Sequence, residues 1–179
     1  MTLTDMTLTD ITIRLAREDD DVLLGELQVE AYLAQYAGKR PHLMPSAQRL
    51  VNLRDQAGRR QSGTVLVGER DGDIFGCVTL YRWGNPKTEA WIEDAANVRM
   101  LAVAPAFHGE GLSGVLMDAA EAQARAWQAP AVCLHARDGC DGVARLYMAR
   151  GYVREPAADF SPMPGVELQG YVLLLRQNP

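Results

Sequence analysis

The sequence predicts a single domain of the mixed α/β (α+β) class, in which helices pack against one sheet. Strand-like segments follow one another in the first half of the chain and alternate with helical segments in the second half. The 179 residues, of which 47% are hydrophobic, suffice for one compact domain with a full core. We expect residues 11–179 to form this domain. Residues 1–10, in which Met-Thr-Leu-Thr-Asp occurs twice, are predicted to form a mobile tail.

The first half of the chain combines strand patterns with two helical ones. Alternating or continuous apolar side chains predict strands at 11–15, 64–69 and 73–81. The dipeptide Asp71-Gly72 predicts a hairpin turn between the last two. Acidic residues at 18–21 suit the start of a first helix, and a second is predicted over 46–57. The apolar stripe of the first helix comprises Leu23, Leu24, Leu27, Ala31 and Leu33.

The second half alternates strands and helices. Strands are predicted at 97–103, 131–135 and 169–175, a helix at 112–127, and another that ends before Gly151. Proline-rich residues 156–165 predict a loop. The helix at 112–127 is expected to bury Leu112, Leu116, Ala119, Ala122 and Ala126.

Composition excludes several classes of function. A net charge of −5 argues against non-specific nucleic-acid binding, and no apolar run approaches the roughly 20 residues that span a bilayer. The polar N-terminus predicts neither a signal peptide nor a transit sequence. Three cysteines without a C-x-x-C pair indicate reduced thiols and a cytoplasmic protein. No metal is expected, because Cys133, His135 and Cys140 lack a fourth ligand and the usual zinc spacing.

Two glycines one residue apart mark the passage from a predicted strand into a helix. Because glycine carries no Cβ, the backbone N–H groups between positions 109 and 112 can approach an anion closely. The first N–H groups of a helix also lack partners within the helix and lie at the positive end of its dipole. The turn therefore predicts a phosphate-binding site.

Three kinds of phosphate-binding turn compete for this segment. A P-loop requires a lysine after its second glycine, and none follows here. Gly109, Gly111 and Gly114 satisfy the dinucleotide pattern G-x-G-x-x-G, and Asp138 lies near the position of a ribose-binding carboxylate. However, residues 104–108 separate the strand from the glycines, and too little chain follows for a doubly wound sheet. A dinucleotide oxidoreductase is therefore a distant alternative.

The third interpretation is that the segment resembles motif A of the GNAT superfamily of N-acetyltransferases. In that motif a strand end and a proline-containing loop lead into Gln/Arg-x-x-Gly-x-Gly/Ala at the start of a helix. Here the strand end is Leu101-Ala102-Val103, the loop contains Pro105, and the signature is His108-Gly109-Glu110-Gly111-Leu112-Ser113. His108 replaces the usual Gln or Arg, and Ser113 replaces the usual Gly or Ala.

A second segment resembles motif B of the same superfamily. It carries Leu146-Tyr147 on a helix, followed by Gly151-Tyr152. Gly151 suits the position after a helix C-terminus, where a left-handed backbone is unstrained for glycine. The two motifs occur in the expected order, and the resemblance covers most of the chain from about Ile11 onward.

The resemblance implies a fold and a cosubstrate. The sheet would be largely antiparallel, with the strands that end at Val103 and His135 splayed apart to admit acetyl-CoA. The backbone of 101–103 would pair with the pantetheine arm, and the glycine turn would hold the pyrophosphate. Cys140 stands where many relatives have an asparagine that contacts the arm. The implied cofactor-binding residues are Leu101, Ala102, Val103, His108, Gly109, Glu110, Gly111, Leu112, Ser113, Gly114, Cys140 and Tyr147.

The resemblance also implies transfer of an acetyl group from acetyl-CoA to a primary amine. Tyr147 occupies the general-acid position of motif B, and a phenol with a pKa of about 10 can donate a proton to the thiolate. Asn97 stands where relatives often carry a glutamate base. The candidate bases are therefore His135, at the end of the following strand, and Glu93, acting through water. For His135 a purely structural role fits equally well.

The resemblance places the acceptor, a small-molecule or peptide amine, near the first two helices. That region contains Tyr32, Tyr36, a basic run at 38–42, Arg49 and Arg54. The basic side chains either receive a carboxylate or phosphate of the acceptor or form a solvated helix face. The competing class of function is a non-catalytic acyl-CoA-binding module, which the replacements at 97 and 140 would suit. A homodimer is compatible with the resemblance.

Overall fold

The computed structural model describes residues 10–36 and 44–175. Residues 1–9 of the predicted tail (1–10) and the basic run at 38–42 therefore lie outside the described residues. The strands are β1 (Ile11–Leu15), β2 (Thr64–Arg70), β3 (Asp73–Tyr81), β4 (Ala96–Val103), β5 (Ala131–Arg137), β6 (Val153–Arg154), β7 (Phe160–Met163) and β8 (Val166–Leu174). The helices are α1 (Asp21–Tyr36), α2 (Ala47–Arg54), α3 (Gln56–Ser62), α4 (Leu112–Ala126) and α5 (Asp141–Ala149). None of these helices is both long and apolar enough to cross a membrane.

The eight strands form one sheet, in which seven strands follow the order β1-β2-β3-β4-β5-β8-β6. The remaining strand, β7, also pairs with β8, at residues 166–168. Every pair is antiparallel except β4 and β5, which are parallel. These two pair only through residues 96–98 and 132–134, after which their ladder ends. The predicted mixed sheet with a splayed central pair is confirmed. The doubly wound parallel sheet that the dinucleotide alternative requires is excluded.

The predicted hairpin between β2 and β3 is present. Asp71 and Gly72 have φ angles of 55° and 89°, and positive values at both central positions are what a two-residue type I′ turn requires. Arg70 and Asp73 face each other across the turn.

A local irregularity interrupts β4 where β5 leaves it. Met100 has a φ of 56°, a left-handed conformation that is uncommon outside glycine. The pairing of β3 with β4 shifts register at the same place, between Cys77 and Thr79. The side-chain amide of Gln28 on α1 donates to the Met100 carbonyl at 3.3 Å, which holds the irregularity against a helix.

The predicted second helix is in fact two helices. Asp55 has φ −73° and ψ 69°, which are not helical, and α2 ends before it. The Asp55 carboxylate accepts a hydrogen bond from the Gly58 N–H at 2.9 Å and thereby caps α3. No glycine or proline lies within two residues of Asp55, so the break left no strong signal in the sequence.

The prediction of a loop over 156–165 is wrong, because the segment contains β7. This strand forms a hairpin with β8, pairing Phe160 with Leu168 and Met163 with Val166, and the chain turns at Gly165 with a φ of 80°. β7 pairs with β8 alone, so one of its edges forms no hydrogen bonds with another strand. Pro162, which lacks an N–H group, is therefore tolerated in this strand without loss of a hydrogen bond between strands. The prolines of this segment are the reason that the sequence predicted a loop rather than a strand.

The buried face of α4 is turned by about a quarter of a circle from the predicted one. Leu112 and Leu116 are buried as expected, but Ala122 and Ala126 are exposed. The residues that complete the buried face are Met117, Ala120, Glu121 and Ala124. Alanines occur on both sides of the leucine pair, so the apolar periodicity does not distinguish the two faces. On α1 the predicted stripe also contains one outlier, since Leu23 is exposed while Leu24 is fully buried.

Candidate active site

The glycine turn joins β4 to α4. Gly109 and Gly111 adopt φ angles of 81° and 76°, and Gly111 is the N-cap of α4. A Cβ at either position would meet no atom within 4 Å, so the left-handed backbone rather than crowding requires glycine here. The imidazole Nε2 of His108 donates to the Val103 carbonyl at 2.8 Å. This hydrogen bond fixes the turn to the end of β4. Its two glycines are surrounded by open space.

A cleft of about 490 Å³ lies beside this turn. Its walls come from the end of β4, the glycine turn, the start of α5, and Ala31, Ala34 and Gln35 of α1. The predicted cofactor-binding residues that line it are Leu101, Ala102, Val103, His108, Gly109, Gly111, Leu112, Ser113 and Cys140. The structure thus brings together residues from motif A and the position before α5 in one cavity.

The β4 wall of the cleft offers an unpaired strand edge. Ala102 and Val103 pair with β3 on one side, opposite Cys77 and Gly76. On the other side β5 pairs no further than Val98, and no other described strand takes its place. An extended ligand can therefore bind the backbone of residues 101–103 as an added strand would.

Of the predicted cofactor-binding residues in motif A, Glu110 and Gly114 do not line the cleft. The Glu110 carboxylate forms an ion pair with Arg70 of β2. The Gly114 carbonyl, in the first turn of α4, lies 3.3 Å from a guanidinium nitrogen of Arg150 and accepts its hydrogen bond. Both residues therefore stabilise the surroundings of the turn.

Tyr147, the predicted general acid, is buried in the core rather than in the cleft wall. Its ring lies 5.7 Å from that of Tyr152 and 6.2 Å from that of Tyr171, between centroids. Burial raises the pKa of its hydroxyl, and the neighbouring Cys140 thiol raises it further. Val143 and Leu146, on the same helix, do line the cleft, so the neutral phenol belongs to an element that forms its wall.

A second cavity of about 340 Å³ is lined in part by residues of the same elements as the cleft. Consecutive residues line the two cavities, namely Ala31 and Tyr32 on α1, and Asp138 and Arg137 at the end of β5. The β7–β8 hairpin supplies one wall, so the strand missed in the sequence shapes this cavity. Its charged and phenolic lining residues are Tyr32, Arg49, Glu89, Arg99 and Arg137.

His135, the first candidate base, lines neither cavity, and its side chain is 5% exposed. The ring lies between Trp91 and Phe160, with centroids 5.2 and 4.9 Å away. Nε2 donates to the Ala158 carbonyl at 3.0 Å, which leaves the lone pair on Nδ1. Nδ1 has no hydrogen-bond partner in the described part of the chain and lies 3.7 Å from the Glu89 carboxylate. Burial lowers the pKa of His135, more than the Ala158 bond and Glu89 raise it, so the ring is neutral at pH 7.

Glu93, the second candidate base, is exposed and lines neither cavity. Glu89, four positions earlier, lines the second cavity and pairs with Arg99 at 2.7 Å. Its backbone N–H donates to the side-chain oxygen of Asn97 at 2.9 Å. The sequence analysis missed Glu89 because it lies in an irregular segment before β4, where no periodicity or motif distinguishes one acidic residue from another.

The cysteines show no sign of a shared site. Cys77, Cys133 and Cys140 are buried and form no disulfide with one another. Among the described residues, no group of three or more His, Cys, Asp and Glu side chains is placed to hold a metal ion.

Comparison with known proteins agrees with this geometry. The family described as Acetyltransferase (GNAT) family matches residues 26–152. The fold is similar to that of a GNAT acetyltransferase from Staphylococcus aureus Mu50, at TM-score 0.71 and 13% identity, covering 93% of this chain and 100% of that one. It is also similar to a GNAT acetyltransferase from Elizabethkingia anophelis solved with acetyl-CoA bound, at TM-score 0.62 and 17% identity, covering 92% and 98% of the two chains.

A third similar structure is the ribosomal-protein-alanine N-acetyltransferase from Brucella melitensis, at TM-score 0.67 and 17% identity, covering 92% of this chain and 99% of that one. No curated protein matches the sequence at the significance that we required. At these identities the solved structures establish the fold, whereas the family match spans well over half of the chain. The protein therefore belongs to the GNAT acetyltransferase family.

Proposed function

We propose that the protein is an acetyl-CoA-dependent N-acetyltransferase that acts on a primary amine. The observation that carries this proposal is that residues of β4 line two cavities, one beside the glycine turn and one that also contains Glu89. Family membership supports acetyl transfer. The Elizabethkingia relative binds acetyl-CoA, and the Brucella relative is an N-acetyltransferase by name, which supports the donor and the kind of acceptor atom.

The cleft fits acetyl-CoA. The turn at 109–114 would hold the pyrophosphate, because its glycines leave the backbone accessible at the positive end of the α4 dipole. The unpaired edge of residues 101–103 would pair with the pantetheine arm, and Cys140 would contact the arm from the opposite wall. The thioester supplies an acetyl group that an amine nitrogen can attack.

Glu89 is our choice for the general base. When the amine nitrogen bonds to the acetyl carbon and the carbon–sulfur bond breaks, the amine must release a proton. The Glu89 carboxylate lines the second cavity and is positioned through both its backbone and Arg99. Neutral His135, with its Nδ1 lone pair 3.7 Å away, can then take the proton from Glu89. Exposed Glu93 is the weaker candidate.

Tyr147 is our choice for the general acid. The departing thiolate needs a proton, and a phenol with a raised pKa is fully protonated at pH 7. Its neighbour Leu146 lines the cleft, which supports a role for Tyr147 beside the pantetheine arm.

The proposal is tested by measuring free-thiol release from acetyl-CoA with a panel of primary amines. We expect at least one amine to accelerate thiol release above hydrolysis, and coenzyme A to raise the melting temperature by binding the folded state. The competing function, a non-catalytic acyl-CoA-binding module, predicts the rise in melting temperature without any amine-dependent release. A stabilisation by NAD and none by acetyl-CoA would contradict both.

A further inference from the structure

We propose that Arg70 is a positioning residue for the donor, because its ion pair with Glu110 neutralises a carboxylate that would otherwise repel the phosphates of acetyl-CoA. This inference rests on the proposed function and concerns how the glycine turn accepts the pyrophosphate. The observation behind it is the place of Glu110 within the turn itself, between Gly109 and Gly111, with its carboxylate bound by a side chain of β2.

The cleft beside this turn receives little positive charge from side chains. Among the described residues that line it there is no lysine or arginine, whereas Asp138 and Asp141 both line it. Coenzyme A carries a pyrophosphate and one further phosphate, so the ligand is strongly anionic. Its attraction to the cleft therefore depends on the backbone N–H groups at the start of α4, and an uncompensated carboxylate beside them would weaken binding.

Arg70 contacts the turn from the β2–β3 hairpin. Its two terminal nitrogens donate hydrogen bonds to the two carboxylate oxygens of Glu110, one of them at 3.4 Å. The same guanidinium lies 4.8 Å from the centre of the Phe107 ring. Phe107 lines the cleft, whereas Arg70 and Glu110 do not. Arg70 therefore acts on the donor through Glu110 rather than by contact with it.

The ion pair removes a net negative charge from the turn. The hydrogen bonds from Arg70 lower the pKa of Glu110, so the carboxylate is ionised at pH 7. Without Arg70 this charge would lie beside the N–H groups that the pyrophosphate requires, whereas the intact pair is neutral in sum. Both side chains are partly exposed, and exposed ion pairs contribute little to stability. We therefore expect the pair to affect donor binding more than folding.

The test is a calorimetric titration of four proteins with coenzyme A at low ionic strength. Arg70→Gln should weaken binding about three- to tenfold, the size expected for one unit charge within about 10 Å of several phosphate charges. Glu110→Gln leaves Arg70 positive and should tighten binding by a similar factor. The double variant restores the net charge of the pair, so its affinity should return to within about twofold of the wild type.

Two further variants separate charge from local structure. Arg70→Lys keeps the positive charge and should bind coenzyme A within about twofold of the wild type. Arg60→Gln is the matched control, because Arg60 forms a partly exposed ion pair with Asp21 at 2.8 Å and neither residue lines the cleft. We expect it to leave the affinity unchanged.

Salt provides a readout that a purely structural role of Arg70 would not change. At about 1 M salt the Debye length is about 3 Å, so the differences among the Arg70 and Glu110 variants should fall below about twofold. A loss of affinity in Arg70→Gln that persists at high salt would contradict charge compensation.

The outcomes separate this inference from the proposed function. If the double variant binds as weakly as Arg70→Gln, or if Glu110→Gln weakens binding, charge compensation is overturned while donor binding by the cleft stands. If Arg70→Gln does not fold, the direction of the Glu110→Gln effect decides the question alone. Absence of coenzyme A binding by the wild-type protein would reject the proposed function and this inference together.

Discussion

The side chain of Asn97 positions the backbone of Glu89. Its Oδ1 accepts a hydrogen bond from the Glu89 N–H at 2.9 Å, while its Nδ2 donates to the Cys133 carbonyl at 3.0 Å. Asn97 is fully buried at the point where β4 and β5 begin to separate. The resemblance to the GNAT family implies a glutamate at this position. In this protein the side-chain amide of Asn97 instead connects the segment that contains Glu89 to the sheet.

Replacing Asn97 with alanine should weaken both stability and activity. The substitution leaves the Glu89 N–H and the Cys133 carbonyl without their partner, a loss of about 1–3 kcal/mol for a buried group. We expect a lower free energy of unfolding in urea and a fall in kcat. Unchanged kcat in a folded Asn97→Ala protein would show that the position of Glu89 does not depend on this amide.

Glu89→Gln should reduce kcat/KM far more than Glu93→Gln. If Glu89 accepts the amine proton, its loss removes a general base, which typically contributes about 10²–10⁴-fold. The Gln side chain can still accept a hydrogen bond from Arg99, so the fold should persist. Glu93 is exposed and serves as the control. The opposite ranking of the two variants in thiol-release assays would assign the base to Glu93.

Tyr147→Phe removes one hydroxyl group from a packed aromatic cluster. The structure should persist because the neighbours, Tyr152 and Tyr171, still contact the ring. If the phenol protonates the thiolate, kcat should fall by roughly 10²–10⁴-fold with little change in coenzyme A affinity. A fall of less than about threefold would limit Tyr147 to packing.

Gly111→Asp should abolish coenzyme A binding, whereas Gly84→Asp should not. Both glycines have φ near 80° and open space around them, so the backbone strain of the two substitutions is similar, about 1–2 kcal/mol. Only at Gly111 does the new carboxylate enter the cleft, where it would repel the pyrophosphate. Calorimetric titration with coenzyme A compares them. Equal affinities in the two variants would locate the phosphate site elsewhere.

His135 should make stability depend on pH near neutrality. Its pKa in the folded protein is lower than the ordinary value of about 6.5, because burial disfavours the charged ring. The unfolded chain therefore binds more protons between the two pKa values. The free energy of unfolding should fall as the pH falls through about 6.5 toward the folded-state pKa.

Denaturant unfolding at several pH values between about 7.5 and 5.5 measures this dependence. His135→Gln should flatten the curve in that interval, because the substitution removes the buried titrating ring. If the free energy of unfolding depends on pH equally in the wild type and in His135→Gln, His135 is not the cause of that dependence.

Several features of the site depend on local chemistry and are therefore visible in the sequence. The positive φ angles at Gly109 and Gly111 and the Asp71-Gly72 turn follow from residue types that tolerate such backbone conformations. The order of the two motifs indicated the family that residues 26–152 match. The residues of motif A line one cleft because they are nearly consecutive along a strand, a turn and a helix.

The acceptor side of the site depends instead on contacts between distant segments. Tyr32 and Arg137 are 105 positions apart, and Glu89 meets His135 across the sheet rather than along the chain. The strand β7 exists because β8 supplies its hydrogen-bond partners, in spite of its prolines. Side chains with no local pattern acquire a role when packing of the sheet and helices brings them together, which is why Glu89 and the second cavity emerged from the three-dimensional arrangement alone.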